Sequence, residues 1–180
     1  YLEPTKNTYV AHEPIKAKLT ITNRAGRDIV LNGKGNTSWL TIELTQDQNL
    51  ISPTKRKNYD PVIVPAGQSL QRTITINETY SMSNKGQYRV KVAAYFPPLD
   101  RYYSSTAQTI HVTDGRELWH QVVGVPQGRE GAGGYRRYTL LTFDNGSEKH
   151  LYIRVKNERT GSVLATYSLG QIILVSQQDW

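Results

Sequence analysis

Apolar and polar residues alternate without a break from Ile15 to Thr22. Ile15, Ala17, Leu19 and Ile21 share one parity, and Lys16, Lys18, Thr20 and Thr22 share the other. A period of two places these sets on opposite faces of an extended chain, so the stretch predicts a strand with one buried face. Asn23-Arg-Ala-Gly ends it, and residues 28–31 begin a new extended run. The same alternation returns three times. Leu40, Ile42 and Leu44 oppose Thr41, Glu43 and Thr45. Leu70, Ile74 and Ile76 mark residues 69–77. Tyr88, Val90, Val92 and Ala94 oppose Arg89 and Lys91. Arg72 carries inward parity, which calls for a bulge or a sheet edge. Residues 5–12 predict a short edge strand, 61–64 another short strand, and 104–113 a further strand with Ile110 and Val112 inward. The polar run 46–61 reads as a long loop.

The texture changes after Asp114-Gly115. Residues 118–125 are apolar on both parities, as in a strand covered on both faces. Residues 127–134 hold four glycines and read as a flexible inter-strand loop. Segments 138–143, 150–156, 162–169 and 171–175 predict further strands. Asn145-Gly146 predicts a two-residue hairpin turn, and Asn157–Gly161 a longer one. Turn signals separate short strands throughout, with no helical period anywhere. The expected fold is all-β: an antiparallel β-sandwich over residues 1–114, then a small antiparallel β-meander of five strands over 115–180. A unit of about 65 residues buries little core of its own. It is therefore expected to pack on the first domain or on further chain of a larger parent protein, and to be incomplete here.

The strand 15–22, the turn Pro65-Ala-Gly before a strand, and Gly86-x-Tyr88-x-Val90-x-Val92 together resemble bacterial immunoglobulin-like domains. More specifically, residues 9–95 resemble the intracellular proteinase inhibitor family of Bacillus, the BsuPI-like domains. The resemblance implies an immunoglobulin-like sandwich, in which the Tyr88 hydroxyl bonds back to nearby backbone as a tyrosine corner. It also implies an inhibitory loop, for which 46–61 and 96–104 are the candidates.

Composition supports pleated structure, with 12 Tyr against two Phe and one Met in 180 residues. The absence of cysteine excludes disulfides, thiol catalysis and thiolate metal sites. No apolar run reaches the length of a membrane helix. The net charge is +7, being +5 over residues 1–114 (14 basic, 9 acidic) and +2 over 115–180 (8 basic, 6 acidic). An excess spread this evenly describes a solvated basic surface, and nucleic acid is not the expected partner.

Little in the sequence points to catalysis. His12, His111, His120 and His150 stand far apart in the chain, without metal-ligand spacing. No Gly-x-Ser-x-Gly elbow occurs, and the glycines of 128–134 lack the lysine and helix of a phosphate loop. Sequons at Asn36, Asn77 and Asn145 fall among turn signals. The expectation is a protein without catalytic activity, metal or cofactor. The candidate interaction residues are Lys55, Arg56, Lys57 and Tyr59, with Arg101, Tyr102 and Tyr103, because aromatics beside cations in loops anchor protein interfaces or stack on sugars. The expected role is a structural or protein-interaction module of an exported or cell-surface bacterial protein. A proteinase-inhibitor-like domain and a carbohydrate-binding module are the alternatives.

Overall fold

The structure is a computed structural model and describes residues 1–172. It is all-β and built of antiparallel sheets. The chain divides into two compact units. One comprises Tyr1–Tyr9 with Pro14–Val112, and the other Val10–Glu13 with the chain from Thr113 onward. The expected division at residue 114 therefore misplaces residues 10–13, which belong with the second unit.

The first unit contains β1 (Leu2–Pro4), β2 (Thr8–Val10), β3 (Lys16–Thr22), β4 (Ile29–Leu31), β5 (Leu40–Gln46), β6 (Asn49–Ile51), β7 (Val62–Val64), β8 (Ser69–Thr75), β9 (Gly86–Phe96), β10 (Arg101–Ser104) and β11 (Gln108–Thr113). One sheet has the order β1-β3-β8. A second has the order β2-β11-β9-β5-β6, with β10 also on β9, and β4 pairs β7. Alternation selects the core as expected over most of its length. Ile15, Ala17, Leu19, Leu40, Leu44, Tyr88, Val90 and Val92 are buried. Ile21 is only half-buried, because its partner Leu70 also lies near the exposed end of the β3–β8 pair. The Tyr88 hydroxyl donates to the Asn84 carbonyl at 2.8 Å, the backward bond expected of it.

Two loop expectations are corrected, and the edge alternative for Arg72 holds. Residues 46–61 are not all loop, because β6 folds back on β5 through Asp47 and Gln48, both at positive φ (50° and 68°). Aspartate tolerates that region better than most residues, but no glycine advertises the turn. Arg101, Tyr102 and Tyr103 lie in strand β10, paired with Phe96, Tyr95 and Ala94, rather than in a loop. Arg72 needs no bulge. It pairs with Leu19 in an unbroken register on an edge strand, and its guanidinium lies over the rings of Trp39 and Tyr59 at 5.9 and 5.5 Å.

Among the described residues the second unit is a sheet of four strands in the order β12 (Arg116–Gly124), β13 (Tyr135–Asp144), β14 (Lys149–Asn157), β15 (Val163–Gln171). β15 continues through Gly170 past a register shift at Leu169, and residues 173–175 of the expected fifth strand lie outside the described residues. β12 is exposed along its whole length rather than covered on both faces, since it forms an edge and a register shift between Glu117 and Trp119 breaks its alternation. The β13–β14 turn spans residues 145–148 between the paired Asp144 and Lys149, not two residues. The Asn145 side chain accepts from the amides of Ser147 and Glu148 and holds that longer loop.

Residues 10–13 cover one face of this sheet. Val10 packs with Leu141, Tyr152 and Phe143. Beside them lies Arg154, 5% exposed. It meets Asp114 at 2.8 Å and donates to the Ala11 carbonyl at 2.9 Å and to Thr166 Oγ1 at 3.2 Å. A buried guanidinium is tolerated only when its charge and its N–H groups find partners, and here a carboxylate, a carbonyl and a hydroxyl supply them. This parity of β14, Tyr152 and Arg154, is more deeply buried than Leu151, Ile153 and Val155. His12 sits at the bend of the covering segment with φ 69°. Its pKa is lowered by burial first and then by the positive charge of Arg154, while Asp114 opposes both.

Replacing Arg154 by alanine removes its bonds to Asp114, the Ala11 carbonyl and Thr166, and the expected loss is about 1.5–3 kcal/mol in urea unfolding; the Arg154→Ala, Asp114→Ala double variant loses less than the sum of its singles. A lowered folded-state pKa means that the unfolded chain takes up a proton first as pH falls below about 6.5. The His12 contribution is therefore complete above that value and declines as pH drops through it toward the folded-state pKa. His12→Asn, which tolerates the positive φ, is expected to flatten unfolding midpoints measured between about pH 7 and 5.

Candidate functional site

Four of the seven candidate residues line one groove of the first unit. Its volume is about 350 Å³, and its wall is the segment Pro53–Tyr59, facing residues 36–38 and the side chains of Leu40, Ile42 and Tyr80. The segment bends at Thr54 and Lys55 and is tied down. The amide and hydroxyl of Thr54 both donate to the Thr79 carbonyl, at 2.8 and 3.0 Å. The Tyr59 amide donates to Ser38 Oγ at 3.2 Å, and Trp39 Nε1 donates to the Asp60 carbonyl at 2.9 Å. Lys57 meets Glu78 at 2.7 Å. These ties fix both ends of a stretch that sequence pattern alone left irregular.

The chemistry divides between floor and rim. Trp39 is fully buried and sits 5.9 Å from the Tyr59 ring. The Tyr80 hydroxyl donates to the Ile42 carbonyl, so this tyrosine closes the floor with its polar end satisfied. Burial raises the Tyr59 pKa, with Lys57 and Arg72 opposing. At the rim, the bond to Glu78 raises the Lys57 pKa, and the same bond lowers that of Glu78. Both groups are solvated, so this pair orders the loop more than it stabilises the fold. Lys55 and Arg56 form no ion pair among the described residues and stay exposed.

Arg101, Tyr102 and Tyr103 are not part of this groove. They form a separate cluster on β10. Tyr102 tilts against Tyr95 at 5.1 Å, Tyr103 meets Phe96 edge-on at 6.0 Å, and Arg101 lies 4.8 Å over the Tyr103 ring. The Tyr95 hydroxyl reaches Asp100, which also pairs Lys34 at 2.7 Å. Tyr102 and Tyr103 still expose 44% and 48% of their surface. Sequence reasoning missed Tyr80 as a groove residue, and Trp39 and Arg72 as the side chains packed against Tyr59. The inward parity of Arg72 was the signal, since a cation on the core side of a strand needs ring faces or acids to receive it.

Asn77, one of the sequons, accepts the Ile15 amide at 2.9 Å and so has a structural task. Among the described residues no group of three or more His, Asp or Glu side chains is placed to hold a metal ion, and no helix is long and apolar enough to cross a membrane. Comparison of the chain with protein-family models, with curated proteins and with solved structures found no match.

A rim and a floor this distinct should separate in mutagenesis. Lys55→Glu with Arg56→Glu is expected to move the unfolding free energy by less than about 0.5 kcal/mol, because both side chains are exposed and away from the ties. Trp39→Ala is expected to cost about 3–5 kcal/mol in the same denaturant titration, since it opens the core beneath the groove.

Proposed function

We propose that this chain is a non-catalytic interaction module of an exported or cell-surface bacterial protein, and that the groove of the first unit is its binding surface. The observation that carries this is the clamped segment Pro53–Tyr59, which holds two free cations over an apolar floor. Its partner is a protein segment that offers acidic residues to Lys55 and Arg56 and one apolar side chain to the space between Leu40, Ile42 and Tyr80. Preorganisation matters because a loop already fixed loses little conformational entropy on binding. The resemblance of strand 15–22, the Pro65-Ala-Gly turn and Gly86-x-Tyr88-x-Val90-x-Val92 to bacterial immunoglobulin-like domains, with the Tyr88–Asn84 bond, supports the sandwich reading.

A second reading draws on the same loop. An exposed segment tied at both ends and bearing Lys55, Arg56 and Lys57 suits presentation to a protease that cleaves after basic residues, as the BsuPI-like resemblance implies. Incubation with trypsin separates the two readings. Lasting inhibition favours the inhibitor, whereas cleavage at 55–57 with undiminished protease activity rejects it.

For the main proposal, peptides selected from a random displayed library are expected to be acidic, with one aliphatic or aromatic anchor. Their affinity should fall as salt rises and drop at least about tenfold in the Lys55→Glu, Arg56→Glu variant. Selected peptides with no acidic bias, or peptides indifferent to that variant, reject the groove as the binding surface.

A further inference from the structure

On the second unit, a groove of about 470 Å³ lies between the glycine-rich loop and the face of the β13-β14-β15 sheet. That volume falls among those of small-molecule sites, roughly 300–1,000 Å³. The registers place its floor. Tyr138, Val155 and Ala165 form one cross-strand row, and Tyr167 stands opposite Ile153 in the next. Tyr138 and Tyr167 thus rise from strands on either side of β14, about 10 Å apart across the sheet at roughly 4.8 Å per strand. Tyr167 exposes 56% of its surface.

The loop wall is built, not slack. Val125 and Gly134, Gly133 and Val125, Gly134 and Gly131, and Ala132 and Arg129 are joined by backbone hydrogen bonds of 2.8–3.3 Å. Gly128, Gly131 and Gly133 take the positive φ values that these turns require. Arg136 Nη2 donates to the Glu130 carbonyl at 2.7 Å and ties the loop to β13. Residues 127–134 form the expected loop between β12 and β13, and this set of bonds shapes it. Glu130, Arg136 and Asn157 line the groove beside the rings.

We infer that this groove binds a neutral oligosaccharide, with Tyr138 and Tyr167 stacking on sugar rings and Glu130, Arg136 and Asn157 hydrogen-bonding their hydroxyls. The negative face of a tyrosine ring attracts the slightly positive C–H face of a pyranose. The groove presents such faces next to a carboxylate, a guanidinium and an amide, the mixture of C–H and hydroxyl recognition that a sugar demands. An extended peptide is the poorer fit. It would gain most by adding to an open strand edge, whereas this groove lies on a sheet face whose backbone is already paired. A wholly apolar protein surface would desolvate three polar side chains without replacing their hydrogen bonds. The inference is independent of the proposed role for the first unit, since it uses different residues.

The test is a panel of immobilised β-glucan, mannan, galactan and chitin oligosaccharides probed with the full chain, followed by calorimetry on each hit. At least one neutral glycan is expected to bind, in a manner insensitive to salt. Tyr167→Ala and Tyr138→Ala should each weaken binding at least tenfold, while Tyr167→Phe, which keeps the ring, retains it. Thermal unfolding of each variant checks that the sheet is intact, and for Tyr167, an exposed edge residue, the midpoint should hardly move. No binding by any glycan in the panel, equal binding by wild type and Tyr167→Ala, or binding confined to peptides would overturn the inference.

Discussion

The guanidinium of Arg154 sets the terms for the second unit. A charge this deeply buried has to be met on every side, and its partners come from three places in the chain: Ala11, Asp114 and Thr166. Together they dictate which parity of β14 is covered, where the segment 10–13 must lie, and why the break in sequence texture at Asp114 coincides with a structural anchor. The hydrophobic cluster of Val10, Leu141 and Tyr152 adds the non-directional part of the same closure. The ion pair supplies direction, because only one placement of the carbonyl and carboxylate satisfies the fork of donors.

The two grooves solve one problem differently. In the first unit, side-chain and backbone bonds from Thr54, Tyr59 and Trp39 tie an irregular segment to the body, so that charged residues are displayed without being mobile. In the second, glycines fold a loop upon itself and an arginine fastens it. Both give fixed walls, which is the condition for a surface to discriminate between ligands rather than adapt to any of them.

Strand identity in the first unit was legible in the sequence because one face of each long strand is buried, and period-two patterning records that directly. Ile15, Ala17, Leu19, Tyr88, Val90 and Val92 all sit where alternation puts them. What the sequence did not reveal depends on partners far along the chain. The pairing of β12 at an edge and the burial of Arg154 beneath Ala11 join residues whose local patterns carry no trace of one another, and the inward parity of Arg72 signals a need for partners without naming Trp39 and Tyr59. Short elements escaped for a related reason. β6 and β10 have three and four residues, too few for a period to show, and their existence is decided by the neighbouring strand. The candidate cations and tyrosines were found by adjacency in sequence, which located Lys55–Tyr59 but could not tell a groove rim from the self-contained ring cluster on β10.

The membership of residues 10–13 in the second unit bears on how the protein is made. During synthesis Ala11 emerges long before Arg154, 143 positions later, so the second sheet can acquire its cover only after Arg154 has been made. Joining the ends of so long a span costs little more entropy than joining a span half its length, since the cost grows only with the logarithm of loop size. The delay is therefore a matter of order in time more than of free energy. Neither unit is a contiguous cassette. A gene segment cut at residue 113 would carry the Arg154 side chain away from its carbonyl partner, so this pair of sheets would have to travel through recombination as a single inheritance.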